Sequence, residues 1–577
     1  MFLSLLRGFV FLCASVAFAS ATNLAEKFVM SFVIENEDIA NADVVNSIIG
    51  ANSFYESGVY GQGVKVAVME SGSIWSEHTF FENAILGEEY TPDDIENSIS
   101  VHKTACAGII GGLGPEVDGN YYSVSFGIAP QVEICSGITG DGTYVYASAF
   151  YKSYKHFFET NQVDVVSTSE SPIPEGEVSE PIYQSMVDAF ASANSKTTFV
   201  AAAGNDGPAE NTICHLALSY NGISVGAMGN ANTFDKIADF SSRAPSDFYN
   251  PLTKEIVRSV RAGIDICAPG ENIGVAYYNK DSSETDIVAI ASGTSFSAPI
   301  VAGVVALLAS TSKTLEADEN AVANGWSANA RDSRVVKAVL LNSADKPSDW
   351  DNGQHKEDVS FINSDDNGNM TIDTFKDVIV TTQSLDYVYG AGMLNADKAL
   401  LQYINLSQKR MLDLNTVDLN SSVFYNLGEL SQGEVLTATV AWMVQNSFSA
   451  EMTVESEANS DSSDSLLETE QSNIPDTEFL AFADLNLELW FADGETLSAV
   501  ALSNSEYNNV EHLYLDIAQN GNYYLRVVFN DVIYGETQTE TYAIAWDIVV
   551  PEPATFASLT GLLILFVVVF ARLHRRD

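Results

Sequence analysis

The sequence predicts an α/β domain, with a parallel sheet covered by helices on both faces, followed by a β-sandwich or jelly-roll domain. Between about residues 55 and 402, apolar runs such as VKVAVME, VDVVSTS and TTFVAAAG alternate with helical patterns such as IYQSMVDAFASANS. Strands that alternate with helices are typical of a parallel sheet. Over residues 405–549 the runs become short and alternating, as in VLTATVAWMV and YYLRVVF, which favours an antiparallel sandwich.

The composition is that of a globular protein with more than one domain. The chain has 577 residues, of which 46% are hydrophobic and 10% aromatic, and this length exceeds what one core ordinarily holds. Against 77 Asp and Glu there are only 27 Lys and Arg, a formal net charge of -50. This balance argues against a nucleic-acid partner, because phosphate binding needs cationic side chains. It indicates a solvated acidic surface, with cation binding at a few carboxylate clusters as the alternative.

The first 54 residues precede the α/β pattern. Residues 1–21 combine an early Arg7, an apolar stretch and small residues in an A-x-A-like arrangement at the end. That pattern predicts a secretory signal peptide, and an uncleaved N-terminal anchor is the alternative. Residues 22–54 have no evident core of their own and are expected to form a short leader.

The pattern of the last 27 residues, 551–577, predicts a membrane-targeting tail. No charge occurs from Ala554 to Ala571, and three arginines lie in the six residues that follow. This length approaches the minimum for a transmembrane helix, and the arginines would keep the tail end in the cytoplasm. Pro-Glu-Pro, an apolar helix and an arginine cluster together resemble the PEP-CTERM sorting signal of Gram-negative bacteria. The resemblance implies an exosortase-type partner, transient anchoring in the inner membrane, and a location at the cell surface or outer envelope, or secretion. A plain membrane anchor is the alternative.

Cysteine usage leaves two interpretations open. One cysteine, Cys13, falls in the signal segment, and four remain in the rest of the chain. In an exported protein four cysteines can form two disulfides. Buried free thiols are the other interpretation, because all four lie in apolar or motif-adjacent stretches. The four are Cys106, Cys135, Cys214 and Cys267.

Four stretches of the first domain carry residues suited to acyl transfer. Glu70 ends one apolar strand, and Asn205 follows the end of another. His102 opens a helix of small residues, and Ser295 begins a long apolar helix. A serine becomes nucleophilic when a histidine takes its proton, and that histidine needs a carboxylate to fix its tautomer. An amide and a helix N-terminus supply donors for the oxyanion. Since such groups converge at strand ends in α/β sheets, we expect a catalytic set at one edge.

These stretches carry the motifs of a known family. GTSFSAPIVAG resembles the subtilase motif G-T-S-x-[SA]-x-P, which implies Ser295 as the nucleophile. HKTACAG resembles H-G-T-H-V-A-G, which implies His102 as the general base, and AAAGNDG resembles the oxyanion motif at Asn205. The order acid, histidine, serine along the chain is that of subtilisins. The resemblance implies a subtilisin-like fold and a serine endopeptidase that acts on protein or peptide substrates without a required cofactor.

Three positions depart from the family pattern. Glu70 stands where the D-[ST]-G motif has Asp, Lys103 stands where the histidine motif has Gly, and Ala105 replaces a second His. A glutamate is longer than an aspartate by one methylene but can still accept a hydrogen bond from the histidine. Glu70 is therefore the expected triad acid, with Asp93 or Asp94 as alternatives.

The substrate cleft is also unusual. The family segment S-L-G-G corresponds here to Ser169, Glu170 and Ser171 followed by proline. The resemblance implies that these three residues and Gly204 contact the substrate. Glu170 would then favour a basic substrate side chain, and a surface-loop glutamate is the alternative.

One stretch resembles part of a calcium loop. In NSDDNGNMTID, Asn363, Asp365 and Asn367 occupy alternate positions before a glycine, as in the first half of an EF-hand loop. The glutamate expected at position twelve is Thr374 instead. The stretch is a candidate for a structural calcium site, and an Asx-rich turn is the alternative.

The sequence allows two interpretations of the β domain and two of the function of the whole chain. DLNLELWFADGETL and TYAIAWDI resemble the bacterial pre-peptidase C-terminal domain, which implies an accessory module that binds substrate or matrix; a purely stabilising domain is the alternative. For the whole chain, the rival to an active peptidase is a catalytically inactive subtilase fold retained as a surface binding or matrix protein. A lipase or esterase is disfavoured, because Ser295 does not lie in a G-x-S-x-G elbow.

Overall fold

The computed structural model describes residues 42–550 apart from several short stretches. The predicted signal peptide, most of the predicted leader and the predicted sorting tail lie outside the described residues. The stretches left out are 94, 96, 118–119, 122–125, 143–144, 171–181, 230–232, 319–328, 365–369, 449–475 and 495.

The first domain contains eight α-helices and most of the short strands among the described residues. The helices are α1 Ala42–Ile48, α2 Asn52–Glu56, α3 Val101–Gly111, α4 Ala147–His156, α5 Ile182–Ala193, α6 Thr294–Glu316, α7 Ser333–Ser343 and α8 Ala396–Ile404. The strands are β1 Lys65–Glu70, β2 Ile85–Tyr90, β3 Glu116–Val117, β4 Asn120–Tyr121, β5 Glu133–Ile138, β6 Val165–Thr168, β7 Thr198–Ala202, β8 Ile223–Gly229, β9 Lys236–Ile237, β10 Ser246–Tyr249, β11 Ile256–Arg261, β12 Ile266–Pro269, β13 Ile273–Ala276 and β14 Val288–Ala291.

An eight-stranded sheet forms the centre of this domain. Seven strands follow the order β12-β8-β7-β6-β1-β5-β2, and β9 pairs with β8 at one side. The pairings along the seven are parallel, whereas β9 runs antiparallel to β8. The parallel sheet predicted from the alternation of strands and helices is therefore confirmed.

Strand β1 shows why both faces of the sheet are covered. Val66 and Val68 belong to the core that includes α6, whereas Ala67 and Met69 belong to a second core with residues of α4 and α5. Successive side chains of a strand point to opposite faces. A continuous apolar run is thus what a strand buried on both sides requires.

Helix α6 runs through the middle of the first core. Its residues from Thr294 to Ser312 are all buried. Among the described residues it is the one helix long and apolar enough to cross a membrane, and its apolar window is wholly buried. It is therefore the core helix of this domain, and the predicted transmembrane segment near the C-terminus lies outside the described residues.

The domain begins earlier than the sequence indicated. Val45, Ile49 and Phe54 are buried in the first core. The carbonyl of Ile49 also accepts from the N–H of Ala396 at 2.6 Å, at the start of α8. The predicted boundary at residue 55 thus lies inside a packed unit, and residues 44–54 are part of the domain rather than a separate leader.

The second domain consists of two sheets packed around a common core. Its strands are β15 His355–Ser364, β16 Met370–Thr381, β17 Arg410–Asp418, β18 Ser421–Leu430, β19 Val435–Trp442, β20 Gln445–Phe448, β21 Thr477–Asp493, β22 Thr496–Ser503, β23 Val510–Asp516, β24 Gly521–Gly535 and β25 Thr539–Val549. One sheet follows the order β15-β16-β22-β21-β24-β18, with β20 on β21, and the other follows β17-β25-β19-β23. Trp442 and Ile544 of the smaller sheet share a core with Leu487 and Leu525 of the larger one, which is the predicted sandwich arrangement.

A hairpin that precedes α8 in the sequence completes the larger sheet. Strands β15 and β16 precede α8 in sequence, yet β16 pairs in parallel with β22, with Ile379 opposite Ala501. The predicted domain boundary between residues 402 and 405 therefore does not separate two independent units.

The two domains also share a buried interface. Ala441, Ala543 and Ala545 of the smaller sheet belong to the first core. Buried polar groups connect the same surfaces: Thr439 Oγ1 donates to Asn342 Oδ1 at 3.2 Å, and Gln402 Nε2 donates to the carbonyl of Trp546 at 2.9 Å. Since buried polar groups need partners, these hydrogen bonds fix the relative position of the domains.

The structure also distinguishes the two interpretations of the cysteines. All four outside the signal segment are free thiols. Cys106, Cys135 and Cys267 are buried, and Cys214 is partly buried. Of the two interpretations, the structure therefore has free thiols rather than two disulfides.

Candidate active site

The predicted catalytic residues meet at the carboxyl edge of the central sheet. Glu70 is the last residue of β1, and Asn205 follows β7. His102 and Ser295 are the second residues of α3 and α6. Parallel strands end at the same edge, and the helices that cover this sheet begin there.

Two turns bring the strand ends to this position. Gly72 follows Glu70 with φ +75°, and a Cβ there would lie 2.6 Å from the carbonyl oxygen of Ser98. Gly204 follows β7 with φ +109°, and a Cβ there would lie 2.8 Å from Ser242 Oγ. Positive φ and close approach both favour glycine, so each strand can turn sharply at the site.

Glu70 holds the imidazole of His102. Its Oε2 lies 2.8 Å from Nδ1 of the ring. The glutamate is wholly buried, with 0% of its surface exposed, whereas 34% of the histidine side chain is exposed. The pair leaves the far side of the imidazole available to a nucleophile and substrate, as expected for a triad acid.

The environment favours the protonated form of His102. Burial lowers the pKa of the ring, but Cys106 and Glu70 raise it, and the net pKa lies well above its usual value. Burial raises the pKa of the Cys106 thiol to about 11, so the thiol is neutral near pH 7. Glu70 is therefore the charge that stabilises the imidazolium.

Cys106 is a site residue that sequence reasoning did not assign. Its Sγ lies 3.9 Å from His102 Nδ1 and donates to the carbonyl of Ser295 at 3.3 Å. The only sequence signal was its position four residues after His102, which places both on one face of α3. Its thiol thus links the helix of the base to the helix of the nucleophile.

Glu70, His102 and Cys106 also have the chemistry of metal ligands. Their candidate ligand atoms lie within 4.8 Å of one another. Coordination through Nδ1 would remove the proton with which His102 binds Glu70. The arrangement is accounted for by the hydrogen bond between acid and base.

Ser295 is almost fully buried, with 8% of its surface exposed to solvent. Its Oγ donates to the carbonyl of Ser169 at 3.3 Å, and Ser169 Oγ donates to the carbonyl of Ser295 at 2.9 Å. Among the described residues the serine hydroxyl is thus hydrogen bonded to the end of β6 and not to His102. Catalytic hydrogen bonds commonly shorten only when substrate is bound.

Asn205 is oriented by the residue before the nucleophile. Its Oδ1 accepts from the N–H of Thr294 at 2.9 Å and from Thr294 Oγ1 at 3.1 Å. The hydroxyl of Thr294 in turn accepts from the N–H of Gly204 at 3.1 Å. With its oxygen held in this way, the amide presents Nδ2 as a donor beside the N-terminus of α6. The arrangement suits an oxyanion hole.

The predicted substrate segment has three different outcomes. Ser169 lies beside Ser295, as described above. Both carboxylate oxygens of Glu170 accept hydrogen bonds from Ser71, the residue after Glu70. Ser171 lies outside the described residues.

The candidate calcium stretch falls at the end of the β15–β16 hairpin. The backbone of Asn363 pairs with Thr371 within this hairpin. Asp365 and Asn367 lie outside the described residues. The pairing of two strands on either side of the loop differs from the two helices that flank an EF-hand loop.

Comparisons with known proteins find similarity over the first domain. A model described as the subtilase family matches residues 61–392. The subtilisin-like protease SBT6.1 of Arabidopsis thaliana is 29% identical over 276 residues, which are 47% of this chain and 24% of that protein. The serine protease AprX of Bacillus subtilis is 27% identical over 50% of this chain and 63% of its own length. Subtilisin DY of Bacillus licheniformis is 30% identical over 47% of this chain and 86% of its own length.

Proposed function

The chain belongs to the subtilase family of serine peptidases, and on that premise we propose that it is an active endopeptidase with Ser295 as its nucleophile. The observation that carries the proposal is the 2.8 Å hydrogen bond between Glu70 and His102 at the edge where Ser295 begins α6. A buried carboxylate bound to an imidazole beside a serine is the arrangement that activates a hydroxyl.

The reaction follows from these positions. Ser295 Oγ turns from the Ser169 carbonyl to His102, transfers its proton to Nε2 and attacks the carbonyl carbon of a peptide bond. Glu70 stabilises the imidazolium that forms. The oxyanion accepts from Asn205 Nδ2 and from the N–H of Ser295, which has no partner within the first turn of its helix. His102 then protonates the leaving amine, and water hydrolyses the acyl-enzyme by the same route.

The substrate is a protein or peptide, and the chemistry requires no cofactor. Ser169 follows β6 and is hydrogen bonded to Ser295, and Gly204 follows β7 and is hydrogen bonded to Thr294; both are proposed to line the substrate cleft. Asn363, Asp365 and Asn367 are proposed to bind a calcium ion. Its role would be structural, and the reaction does not depend on it.

Reaction with a fluorophosphonate tests whether the site is active. We expect the folded full chain to be labelled at Ser295 and to cleave a peptide library, because the probe requires an activated serine. The same chain with Ser295→Ala is the control. Folded wild-type protein that is neither labelled nor active would support the inactive subtilase instead.

Replacing Asn205 by alanine should lower kcat by about 100- to 1,000-fold with little change in KM, because the lost donor acts on the oxyanion. Thr294→Val removes one of the two groups that hold the amide oxygen and should cost less. Steady-state kinetics on a peptide amide measures both. Asn250→Ala, in a turn between β10 and β11, is the matched control. A wild-type kcat in Asn205→Ala would show that the amide is not an oxyanion donor.

We propose that the protein acts outside the cytoplasm. The support is in the sequence: the signal-like segment 1–21 and the Pro-Glu-Pro, apolar and arginine-rich segment 551–577. Sorting by an exosortase-type enzyme and transient anchoring in the inner membrane follow from the resemblance of that tail. Mass spectrometry of both termini of the protein recovered from the envelope and the medium tests this, since intact termini in the cytoplasmic fraction would contradict it.

A further inference from the structure

Three residues that depart from the family pattern, at positions 70, 103 and 170, lie close together around the acid of the triad. Glu70 is the triad acid, Lys103 follows the base, and Glu170 follows the residue that binds Ser295. They come from β1, α3 and the end of β6. Their proximity indicates that these departures are parts of one arrangement.

Lys103 is a buried cation without contact with solvent. Its exposure is 0%, and Nζ donates to the carbonyls of Glu70 at 3.2 Å, Gly72 at 3.0 Å and Gly137 at 2.9 Å. An ammonium has three donors, so all three are used. These hydrogen bonds tie the end of β1 and its turn to β5.

Glu170 binds the residue that follows the triad acid. Its Oε2 accepts from the N–H of Ser71 at 2.7 Å, and its Oε1 accepts from Ser71 Oγ at 2.9 Å. These two donors are therefore not available to Glu70. The Oε1 of Glu70 is buried without a hydrogen-bond partner among the described residues, so Glu70 is bound through Oε2 alone, by His102.

We propose that Lys103 and Glu170 are positioning residues for the triad acid. Lys103 fixes the main chain of residues 70–72, and Glu170 holds Ser71 from the other side, so that the longer side chain of Glu70 presents one oxygen to His102. The proposal rests on the peptidase function above. It assigns Glu170 to the acid side of the triad and not to a pocket for a basic substrate side chain.

One ammonium and three carboxylates act on one another around the site. Burial lowers the pKa of Lys103 to about 8. Carboxylates on three elements act in the opposite direction: Glu70 of β1, Glu89 of β2 and Glu170 after β6. Burial and the nearby Glu70 raise the pKa of Glu170, while the bonds from Ser71 oppose the rise. One buried ammonium thus lies among these carboxylates, and Glu70 and the neutral thiol of Cys106 act directly on His102.

The two residues have opposite charges, and so their removal should have opposite effects on the pH profile. Neutral His102 is the active form, and its raised pKa places the acid limb of kcat/KM above pH 6.5 in the wild type. Lys103→Met removes a positive charge from the neighbourhood of His102. This removal stabilises the imidazolium, so the acid limb should move to higher pH by about 0.5 to 1 unit. Glu170→Gln removes a negative charge and should move it to lower pH by about the same amount.

Kinetics of the full chain on a peptide amide, from about pH 5 to about 10, tests both variants. Lys103→Met should also lower kcat by about 10- to 100-fold with KM nearly unchanged, because a displaced acid misorients the base. Lys337→Met is the control: Lys337 is a buried lysine that donates to the carbonyls of Tyr220 at 3.0 Å and Gly222 at 2.8 Å and pairs with Asp265 at 2.9 Å. Its removal should lower the melting temperature without moving the pH profile.

The outcomes separate this proposal from the proposed function. An active wild type with unchanged acid limbs in folded Lys103→Met and Glu170→Gln would overturn the positioning role. If Lys103→Met does not fold, Glu170→Gln decides alone: a selective rise in KM for substrates with basic side chains, at an unchanged acid limb, would make Glu170 a specificity residue. A wild type without activity would overturn the peptidase function itself.

Discussion

Ser295→Ala is expected to lower kcat by about 10⁶-fold, because a nucleophile and its base act as one unit in this chemistry. The residual activity comes from substrate binding and the oxyanion donors, which remain in the variant. Among the described residues, Ser295 Oγ makes one hydrogen bond, to the Ser169 carbonyl at 3.3 Å, so its loss should change the melting temperature little. The measurement is turnover of a peptide amide together with thermal unfolding.

Ser297→Ala is the matched control for this prediction. Ser297 lies two residues further along α6, is buried, and donates to the carbonyl of Pro269 at 3.1 Å. The subtilase serine motif accepts Ser or Ala at that position, so we expect kcat within about 3-fold of wild type, as for an ordinary loss of one hydrogen bond away from the reacting atoms. Equal losses in Ser295→Ala and Ser297→Ala would mean that the helix, and not the Ser295 hydroxyl, determines activity.

The sequence predicted the catalytic edge because the information is local. A strand that ends in a carboxylate, a helix that begins at a histidine and a helix that begins at a serine each occupy a short segment, and in parallel sheets the covering helices start where strands end. The hydrogen bond between Glu70 and His102 follows from that topology and from the length of the glutamate. The sandwich of residues 405–549 could be predicted for the same reason, since the alternation of apolar and polar residues with a period of two is a local pattern.

Other features depend on contacts between distant segments. The local sequence of the β15–β16 hairpin predicts two strands but not the sheet that they join. Its pairing with β22, more than a hundred residues away, leaves no signal in the local sequence. Val45 and Ile49 belong to a stretch too short to form a core alone, so their packing into the first core could not be read from periodicity. Cys106 has only its spacing from His102 to indicate a role.

Lys103 illustrates a second reason why sequence reasoning is incomplete. A lysine beside a catalytic histidine ordinarily indicates a solvated face, since lysine is rarely buried without partners. Burial of this residue depends on three carbonyl acceptors that converge from β1, its turn and β5. The acceptors are backbone atoms, and a sequence does not show where backbone carbonyls converge.

Glu70→Gln is expected to lower kcat by about 10⁴-fold, the cost of losing the acid that orients the histidine. The amide is nearly isosteric with the carboxylate, but it carries no charge to stabilise the imidazolium and can stabilise the wrong tautomer of His102. The acid limb of the pH profile should also move to lower pH, because the charge that raises the pKa of His102 is gone. Kinetics on a peptide amide from about pH 5 to about 10 measures both effects. Near-wild-type turnover would mean that another carboxylate, such as Asp93, holds the ring; Asp94 lies outside the described residues.

Glu70→Asp is the sharper variant, since aspartate is the residue that the family pattern has here. Shortening the side chain by one methylene withdraws the carboxylate by about 1.5 Å from a partner now at 2.8 Å. The backbone cannot easily follow, because Lys103 holds the carbonyls of Glu70 and Gly72. We therefore expect kcat about 10- to 100-fold below wild type, with part of the loss recovered in the double variant Glu70→Asp, Lys103→Gly, which restores the family residue at both positions. An aspartate variant as active as the wild type would show that the main chain adapts freely, and that the glutamate at 70 needs no support from Lys103.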